Sequence, residues 1–455
     1  MSTAMRSSAR PARSGGPRVV ADAPTAGGHT PGQHGENVDA WRYLLSYNAT
    51  NAGKVATEIT RATGAAWVDA VQRIGRPFDA LRRTVLWWST MADRSEPRWH
   101  LPNEVVLSTA FAALRDFTEE RHRADDIVPT IVLPPQAGHS STVVDYSPQQ
   151  SQIAMIRASG LTRVYALEWK PATAASKDVG IDDYLTVIDR SIRRMGGVAN
   201  VVGDCQGGWL AAIYAAQHPE RVNTLTLAGA PIDFQAGDSV IAATTRITAG
   251  TLGMAPYRAL VALGGGNVPG RAVLSNFIGI QPQSEVSRQL QLLENIDDAT
   301  HVERYRVFED WFKHTQDIPG AFYLWLVENL FWKNELVTGE LEIGGRRVDM
   351  GAITCPVLLL AGSTDHITPP PQMFAAADVV GTPASDITTR TATGGHLGLF
   401  MGRDALRHDW PPLMETVYAH SGPSARAGGG GKASRRRNSV RAVADPRDTP
   451  RVPAP

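Results

Sequence analysis

Residues 198–219 read VANVVGDCQGGWLAAIYAAQHP, and this stretch decides the fold. It begins as an apolar run typical of a buried strand, passes through a glycine-framed cysteine, Cys205, and continues as an apolar helix. A sharp strand-to-helix turn of this kind projects its central side chain clear of the sheet. Gly203 and Gly207 leave room where the two backbones nearly touch. The pattern predicts a nucleophile elbow with Cys205 at the carboxyl end of a strand.

Strand-like and helix-like segments alternate on both sides of this elbow. TRVYALEW and VNTLTLAGAPI are typical of buried strands, as are CPVLLLAG and DITTRTATGG further along the chain, whereas GIDDYLTVIDRSIRRMGG is typical of an amphipathic helix. Strands and helices that alternate at this spacing indicate an α/β fold with a mostly parallel, doubly wound sheet. In such a sheet the active-site residues lie just beyond the carboxyl ends of the strands.

The alternation is interrupted at two places, which suggests a domain organisation. Residues 235–345 are helix-like throughout and predict a helical lid over the strand ends. Residues 37–98 carry apolar side chains at helical spacing and predict an N-terminal helical region that packs on the main domain. The α/β core is therefore expected in two parts, at residues 99–234 and 346–421.

The two ends of the chain differ from the rest in composition and charge. Residues 1–36 and 422–455 are rich in Gly, Pro, Ser and Arg, and we expect both to be disordered tails. The whole chain has 45 basic and 45 acidic side chains, but residues 1–35 carry a net charge of +3 and residues 422–455 carry +6, which leaves −9 for residues 36–421. A core of that charge argues against specific nucleic-acid binding.

Other global features concern the cellular compartment and bound groups. The sequence has two cysteines, no apolar run long enough to cross a membrane and no compact secretory signal, so we expect a cytoplasmic protein without a transmembrane segment. An organelle transit peptide is an alternative, because the N-terminal residues are rich in Arg. The motifs indicate no metal site, no dinucleotide-binding site and no cofactor.

A cysteine nucleophile needs a base and a group that orients the base. In this topology the chain order is nucleophile, acid and histidine, and Asp365 and His396 each follow a predicted strand in that order after Cys205. His366 is an alternative base, although it adjoins the acid, and Asp233 is an alternative acid because it too follows a strand. The interpretation we favour is a catalytic triad of Cys205, Asp365 and His396.

Further candidates surround the elbow. The backbone N–H groups of Gln206 and Ala137 are predicted to form an oxyanion hole. His139 follows the Ala137 turn and is predicted to contact substrate, although a turn histidine without function is the alternative; Trp325, in the apolar lid segment AFYLWLVENLFWKN, is a second predicted substrate contact. Asp204 raises the pKa of the neighbouring thiol unless its carboxylate points away.

Several motifs resemble those of a known family. The segment GDCQGGWLAA resembles the cysteine lipase box of polyhydroxyalkanoate synthases, and LAGAPIDFQAGD, ITCPVLLLAGSTDHITPP and GGHLGLF resemble later motifs of that family in the same order. RTVLWWSTMADR, WLVENLFWKNELVTGE and DHITPPPQ look closer still to a bacterial group of synthase-like proteins of unknown function. The similarity runs from about Arg82 to Gly402.

The resemblance implies an α/β-hydrolase fold and a Cys-Asp-His triad at Cys205, Asp365 and His396. In the synthases this triad carries a hydroxyacyl chain, delivered from hydroxyacyl-CoA, as a thioester. The chain departs from the synthase pattern at two places. Asp204 stands where the synthases generally have an aromatic residue, and residues 136–139 stand where they have an Ile-Asn-Lys type sequence.

Three functions are consistent with this pattern. The first is synthase-like acyl transfer through a thioester on Cys205, with coenzyme A thioesters as substrates rather than as a cofactor. The second is hydrolysis of a thioester or polyester, because both reactions share the same acyl-enzyme. The third is a non-catalytic protein that binds a granule or membrane through the aromatic lid and the basic C-terminal tail. This function would require an exposed apolar patch on the lid, formed by Phe322, Trp325, Leu326, Phe331 and Trp332. A homodimer and a polyester granule surface are the candidate partners.

Overall fold

A computed structural model of the chain describes residues 31–72 and 77–422. Its centre is an eight-stranded sheet in the spatial order β1-β2-β4-β3-β5-β6-β7-β8. The strands are β1 (Glu104–Ser108), β2 (Ala112–Asp116), β3 (Thr130–Leu133), β4 (Val164–Trp169), β5 (Ala199–Asp204), β6 (Val222–Ala228), β7 (Val357–Gly362) and β8 (Ile387–Ala392). The strand order shows that the chain crosses over repeatedly, as expected for a doubly wound sheet.

The sheet is parallel except at its second strand. β2 pairs in antiparallel fashion with both β1 and β4, whereas all the pairs from β4 through β8 are parallel. β5 lies between β3 and β6, and all six of its residues are buried. This sheet with its nucleophile turn after β5 is the α/β-hydrolase arrangement, so the predicted fold class is confirmed.

Helices cover both faces of the sheet and form most of the lid. They are α1 (Pro31–Gln72), α2 (Pro77–Ala92), α3 (Gln152–Ala158), α4 (Ile181–Arg194), α5 (Gln206–Gln217), α6 (Val240–Leu252), α7 (Ala255–Leu263), α8 (Gly270–Ile280), α9 (Pro282–Glu294), α10 (Ala299–Lys313), α11 (Gly320–Leu326), α12 (Glu335–Thr338), α13 (Pro370–Phe374), α14 (Ala376–Val379), α15 (His396–Met401) and α16 (Trp410–Ala419). Two π-helical turns span Val327–Trp332 and Ala405–Asp409.

The two faces of the sheet bury separate clusters of apolar side chains. Val201 of β5 belongs to the cluster that α4 and α5 complete, and the next residue, Val202, belongs to the cluster that α3, α15 and α16 complete. Successive side chains of a strand point to opposite faces, so an apolar strand such as β5 serves both clusters. β5 is thereby fixed from both sides at the position where it delivers Cys205.

Residues 235–345 contain helices α6 to α12, one π-helical turn and short two-residue strand pairs, and no strand of the main sheet. The N-terminal helices pack against this lid. Tyr47 Oη and Asn51 Nδ2 both donate hydrogen bonds to the carbonyl of Ile280, at 2.9 and 3.0 Å, and Trp87 Nε1 donates to the carbonyl of Gln289 at 3.1 Å. The lid is therefore held between the core and the N-terminal region.

The predicted tails fall mostly outside the described residues, which do not include 1–30 and 423–455. Helix α1 begins at Pro31, so residues 31–36 are helical, and the prediction of a disordered tail was wrong for them. In the part of the chain that the structure describes, no helix has the length and apolar character needed to cross a bilayer.

The turn at Cys205 has the strained backbone expected of an elbow. Cys205 has φ +51° and ψ −116°, a conformation that L-residues rarely adopt. A Cβ atom built on Gly203 would lie 2.5 Å from Gly208 Cα, and one built on Gly207 would overlap the Leu133 carbonyl oxygen. The glycines around Cys205 are therefore required by close backbone contacts on both sides of the turn.

Replacing Gly207 with alanine tests this contact. We expect Gly207→Ala to lower the free energy of unfolding by about 3 kcal/mol or more, because the new methyl group overlaps a backbone oxygen that cannot move independently. Urea unfolding measures the difference. Gly53→Ala is the matched control, because Gly53 lies in helix α1 and a methyl group there would meet no atom within 4 Å, so this variant should be neutral or slightly stabilising. Equal stability of the two variants would contradict the close-contact explanation.

Candidate active site

The structure brings Cys205, Asp365 and His396 together at the carboxyl ends of β5, β7 and β8. His396 is the first residue of α15, and its Nδ1 lies 2.7 Å from Asp365 Oδ2. The other carboxylate oxygen, Asp365 Oδ1, accepts hydrogen bonds from the backbone N–H groups of Ile367 and Thr368, both at 2.9 Å. The carboxylate is thus held by its own loop in the orientation that directs it at the imidazole.

The electrostatic surroundings of His396 favour its charged form. Burial by itself lowers the pKa of the imidazole, but the charges of Asp365 and Cys205, together with hydrogen bonds to both, raise the pKa of His396 well above its usual value. Because Asp365 binds Nδ1, Nε2 is the nitrogen that is left for the thiol. The arrangement can therefore hold a thiolate beside an imidazolium, the reactive form of a cysteine nucleophile.

The alternative acid and base have other partners. Asp233 Oδ1 accepts hydrogen bonds from Asn334 Nδ2 at 2.8 Å and from the backbone of Gln235 at 2.9 Å, so this carboxylate joins the end of the lid to the core. The ring of His366 faces Tyr47, with 5.8 Å between ring centroids. Asp365 and His396 are hydrogen-bonded to each other, and neither alternative residue takes part in this pair.

The two predicted oxyanion donors belong to residues that line cavities together with Cys205. Gln206 is the first residue of α5, so its N–H has no partner within the helix. Ala137 lies in the loop after β3, and this loop is brought to the elbow by the contact of Gly207 with Leu133. Among the described residues, neither the Gln206 N–H nor the Ala137 N–H donates a backbone hydrogen bond. Both groups are therefore available to a carbonyl oxygen near Cys205.

His139 is buried on the wall of the site and is neutral. Its Nδ1 lies 2.9 Å from the Ala137 carbonyl oxygen, and its ring stacks on Trp311 and Phe312, with centroid distances of 5.1 and 5.5 Å. Burial lowers the pKa of His139 to about 4, so the imidazole stays uncharged at neutral pH. Through its contacts with the Ala137 carbonyl and with Trp311 and Phe312 of α10, His139 joins the loop after β3 to the lid.

Two cavities open from Cys205. Cavity 1 has a volume of about 300 Å³ and is lined by His139, His396 and residues of α9 and α10. Cavity 2 has a volume of about 440 Å³ and is lined by Gln206, Trp209 and residues of α6, α8 and α11. Within residues 31–72 and 77–422, no group of three or more His, Cys, Asp or Glu side chains is arranged to hold a metal ion.

Some residues that line the cavities carry no signal in the sequence, and one residue predicted to line them does not. Phe277 and Ile280 of α8 line both cavities, although nothing in the apolar segment VLSNFIGI distinguishes a cavity wall from an ordinary helix. Trp325 lines neither cavity: its indole ring is 6.2 Å from that of Trp209, and neighbouring Leu326 lines cavity 2 instead. In an amphipathic helix, a shift of one residue turns the side chain by about 100°.

The second cysteine and the lid aromatics have structural surroundings. Cys355 is half-buried, and burial raises the pKa of its thiol to about 12, which makes it unreactive at neutral pH. Phe322 is fully buried and Leu326 is buried, while Phe331 packs against Phe234 at 5.0 Å. Trp325 and Trp332 are half-buried, so none of the five lid side chains that a purely scaffolding protein would have to expose is exposed.

Asp204 is fully buried beside the nucleophile, but its carboxylate turns toward α3. Asp204 Oδ1 accepts a hydrogen bond from Gln152 Nε2 at 3.2 Å. Burial raises the pKa of Asp204 to about 7, against smaller lowering effects of the Gln152 hydrogen bond and the charge of His396. A protonated, neutral Asp204 does not oppose a thiolate on Cys205.

This raised pKa predicts a pH-dependent stability. The folded state holds a proton on Asp204 that the unfolded chain releases near pH 4, so the contribution of this group to stability falls as pH rises from about 4 to 7. Between pH 5.5 and 7, the free energy of unfolding of the wild type should fall by about 1.5 kcal/mol more than that of Asp204→Asn. Urea unfolding at several pH values measures this. Asp378→Asn, which removes an exposed carboxylate, is the control, and the same pH dependence in both variants would contradict the assignment.

Comparison with known proteins gives relatives of low identity. The poly(3-hydroxyalkanoate) polymerase subunit PhaC of Allochromatium vinosum is 27% identical over 278 residues, which cover 60% of this chain and 75% of the relative. The subunit of the same name from Haloferax mediterranei is 26% identical over 323 residues, which cover 69% of this chain and 63% of the relative. The chain thus spans between about three fifths and three quarters of these two relatives.

A solved carboxylesterase from Nitrososphaera gargenis is similar at 16% identity with a TM-score of 0.41, covering 70% of this chain and 99% of that one. A family model described as "Protein of unknown function (DUF3141)" matches residues 109–413, which is well over half of the chain. The resemblance to polyhydroxyalkanoate synthases is confirmed by the polymerase relatives. The chain belongs to the DUF3141 family, within the α/β-hydrolase fold.

Proposed function

We propose that this protein is a cysteine-dependent acyltransferase that takes a hydroxyacyl group from hydroxyacyl-CoA, in the manner of a polyhydroxyalkanoate synthase. The observation that carries the proposal is the juxtaposition at the elbow: a cysteine at φ +51°, an imidazole bonded to a buried carboxylate, and two free backbone N–H groups. Relatives named as polymerase subunits support the class of reaction.

In the first half-reaction, His396 Nε2 accepts the thiol proton of Cys205. The Sγ electron pair then attacks the thioester carbonyl carbon, and the carbonyl electrons move onto the oxygen, which the N–H groups of Gln206 and Ala137 bind. When the carbonyl re-forms, the bond to the CoA sulfur breaks, and the leaving thiolate receives the proton from His396. The products are an acyl-thioester on Cys205 and free CoA.

In the second half-reaction, His396 removes a proton from the acceptor hydroxyl. The acceptor oxygen attacks the thioester carbon, and the Cys205 sulfur leaves as a thiolate beside the imidazolium. A hydroxyacyl acceptor gives chain growth, whereas water gives hydrolysis, which is the competing outcome. A thiolate nucleophile favours exchange between thioesters, because sulfur is a good leaving group in both directions. We also propose that the protein acts in the cytoplasm.

Release of CoA from 3-hydroxybutyryl-CoA tests the nucleophile. Wild-type protein should release free thiol, and Cys205→Ala should lower the rate by about 10³-fold or more, because the variant lacks the proposed nucleophile at the elbow. A thiol-reactive dye that detects CoA follows the rate. Cys355→Ala is the matched control and should keep the wild-type rate, because Cys355 lines neither cavity. Release that persists in Cys205→Ala would defeat the assignment.

The products of the same reaction separate transfer from hydrolysis. Solvent-insoluble polymer or soluble oligoester, detected by mass spectrometry, would support acyl transfer to a hydroxyl. Stoichiometric free 3-hydroxybutyrate without any ester would show that water is the acceptor, and the protein would then be a thioesterase. Both outcomes require Cys205, so the Cys205→Ala variant serves as the blank in each assay.

A granule surface is a second proposed partner, supported by an apolar stripe on the N-terminal region. Phe78, Leu81, Val85 and Trp88 follow one another at helical spacing on α2 and are all exposed, Phe78 by 83%. Val38, Trp41 and Leu45 are exposed at the same spacing on α1. Exposed apolar stripes of this kind are typical of surfaces that bind an apolar partner, and we propose that the partner is the polyester itself.

Binding to poly(3-hydroxybutyrate) beads tests the stripe. The double variant Leu81→Ser/Trp88→Ser should bind at least about thirtyfold more weakly, because each of the two apolar side chains that becomes buried contributes about 1 kcal/mol or more. Sedimentation of the beads measures the bound fraction. Leu263→Ser is the control, because Leu263 is 88% exposed but lies on α7. An equal loss in both variants would indicate non-specific adsorption and contradict the proposal.

A further inference from the structure

The two cavities that meet at Cys205 are not equivalent. Both are lined by Cys205 and Ala137, and the side chains of Phe277, Ile280 and Ile367 separate them. The nucleophile and one oxyanion donor therefore stand at the junction. A carbonyl group bound there has two substituents, the acyl chain and the sulfur of the donor, and each must enter a different cavity.

The position of the base decides which substituent enters which cavity. His396 lines cavity 1 and does not line cavity 2, while Gln206 lines cavity 2 and does not line cavity 1. His396 must give a proton to the leaving thiolate and later take one from the acceptor, so both groups have to be on its side of Cys205. The acyl chain then extends in the opposite direction, away from the imidazole.

The chemistry of the two linings agrees with this division. Glu285 and Arg288 line cavity 1, and Arg288 lies over the rings of Phe308 and Phe312, at 4.6 and 5.1 Å from their centroids. No Asp, Glu, Lys, Arg or His is found among the described residues that line cavity 2. An uncharged lining suits an acyl chain, whereas polar donors and acceptors can be accommodated where charged groups are present.

Both cavities reach the protein surface at different places. Thr244 of α6 and Ser275 of α8 are exposed and line cavity 2. Ser284 of α9 is exposed and lines cavity 1. Cavity 2 also has a π-helical turn in its wall, where Val327 and Phe331 line it. An acyl chain in cavity 2 can therefore extend toward solvent rather than meet a closed end.

We infer that cavity 2 is an acyl chamber, which holds the chain carried by Cys205, and that cavity 1 is an exchange chamber, through which the donor thiol leaves and the acceptor hydroxyl arrives. This inference rests on the proposed acyl transfer and adds the direction of the substrate to it. It also assigns chain-length selection to α6 and α8, whose residues form the outer part of the acyl chamber.

Labelling of Cys205 with alkyl methanethiosulfonates tests the assignment without any need for turnover. The Cys205 thiolate attacks the alkyl-bearing sulfur, a disulfide forms, and methanesulfinate leaves with the electron pair of the broken bond. The quantity to be measured is the ratio of the dodecyl to the methyl labelling rate, followed by mass spectrometry of the Cys205 peptide. Cys355 gives a separate peptide and does not interfere.

Two tryptophan substitutions at exposed helical positions form a matched pair. Thr244→Trp narrows the outer acyl chamber and should lower the dodecyl-to-methyl ratio of labelling rates about tenfold. We expect the indole ring to displace roughly two methylene groups of the dodecyl chain from their apolar surroundings. Ser284→Trp narrows the exchange chamber and should change the ratio less than about twofold. Ser275→Trp is a second variant at the mouth of the acyl chamber, and it should lower the ratio as Thr244→Trp does.

Other results would overturn the assignment. A lowered ratio in Ser284→Trp with an unchanged ratio in Thr244→Trp and Ser275→Trp would place the chain in cavity 1. Equal effects of all three variants, or no effect of any, would show that the chain does not select between the cavities. Failure of the proposed function appears separately, as wild-type protein that is labelled normally but releases no CoA from the thioester.

Discussion

The close contact of the α5 backbone with the end of β3 is the constraint on which the rest of the site depends. Gly207 approaches the Leu133 carbonyl so closely that no side chain fits between them. Next to this contact Cys205 has a positive φ, Gln206 begins α5, and Ala137 of the loop after β3 lines the same two cavities as Cys205. The proposed nucleophile and the proposed oxyanion site thus depend on one packing contact, whose cost in backbone strain is met by the buried strands on either side.

Much of this site could be predicted from the sequence because its signals are local. The glycine frame marks the elbow, and Asp365 and His396 each follow an apolar strand, so the parallel sheet brings them to one edge. The assignment of Trp325 failed because apolar side chains on a lid helix do not show which of them faces a cavity. That choice depends on tertiary contacts between helices distant in the chain, for which the sequence offers no comparable marker.

The charge balance of the site follows from burial rather than from the residue types alone. A carboxylate adjacent to a catalytic thiol is unfavourable in water-like surroundings, yet Asp204 is fully buried and bonded to Gln152. Its raised pKa keeps it largely neutral below pH 7, while Asp365, which accepts two backbone hydrogen bonds, supports the positive charge of His396. Two carboxyl groups in one site thereby have different roles, because their hydrogen-bond partners differ.

The lid determines how the proposed acyl-enzyme at Cys205 would be used. Because α8 separates the two cavities, an acyl chain on one side leaves the imidazole side free for an incoming hydroxyl. A site with a single closed pocket would have to release its chain before a new acceptor entered, and that order favours hydrolysis or single transfer. Two openings at one thiol allow the chain to stay bound while donors and acceptors exchange beside His396. If Cys205 carries an acyl chain as we propose, this geometry favours repeated transfer over a single transfer.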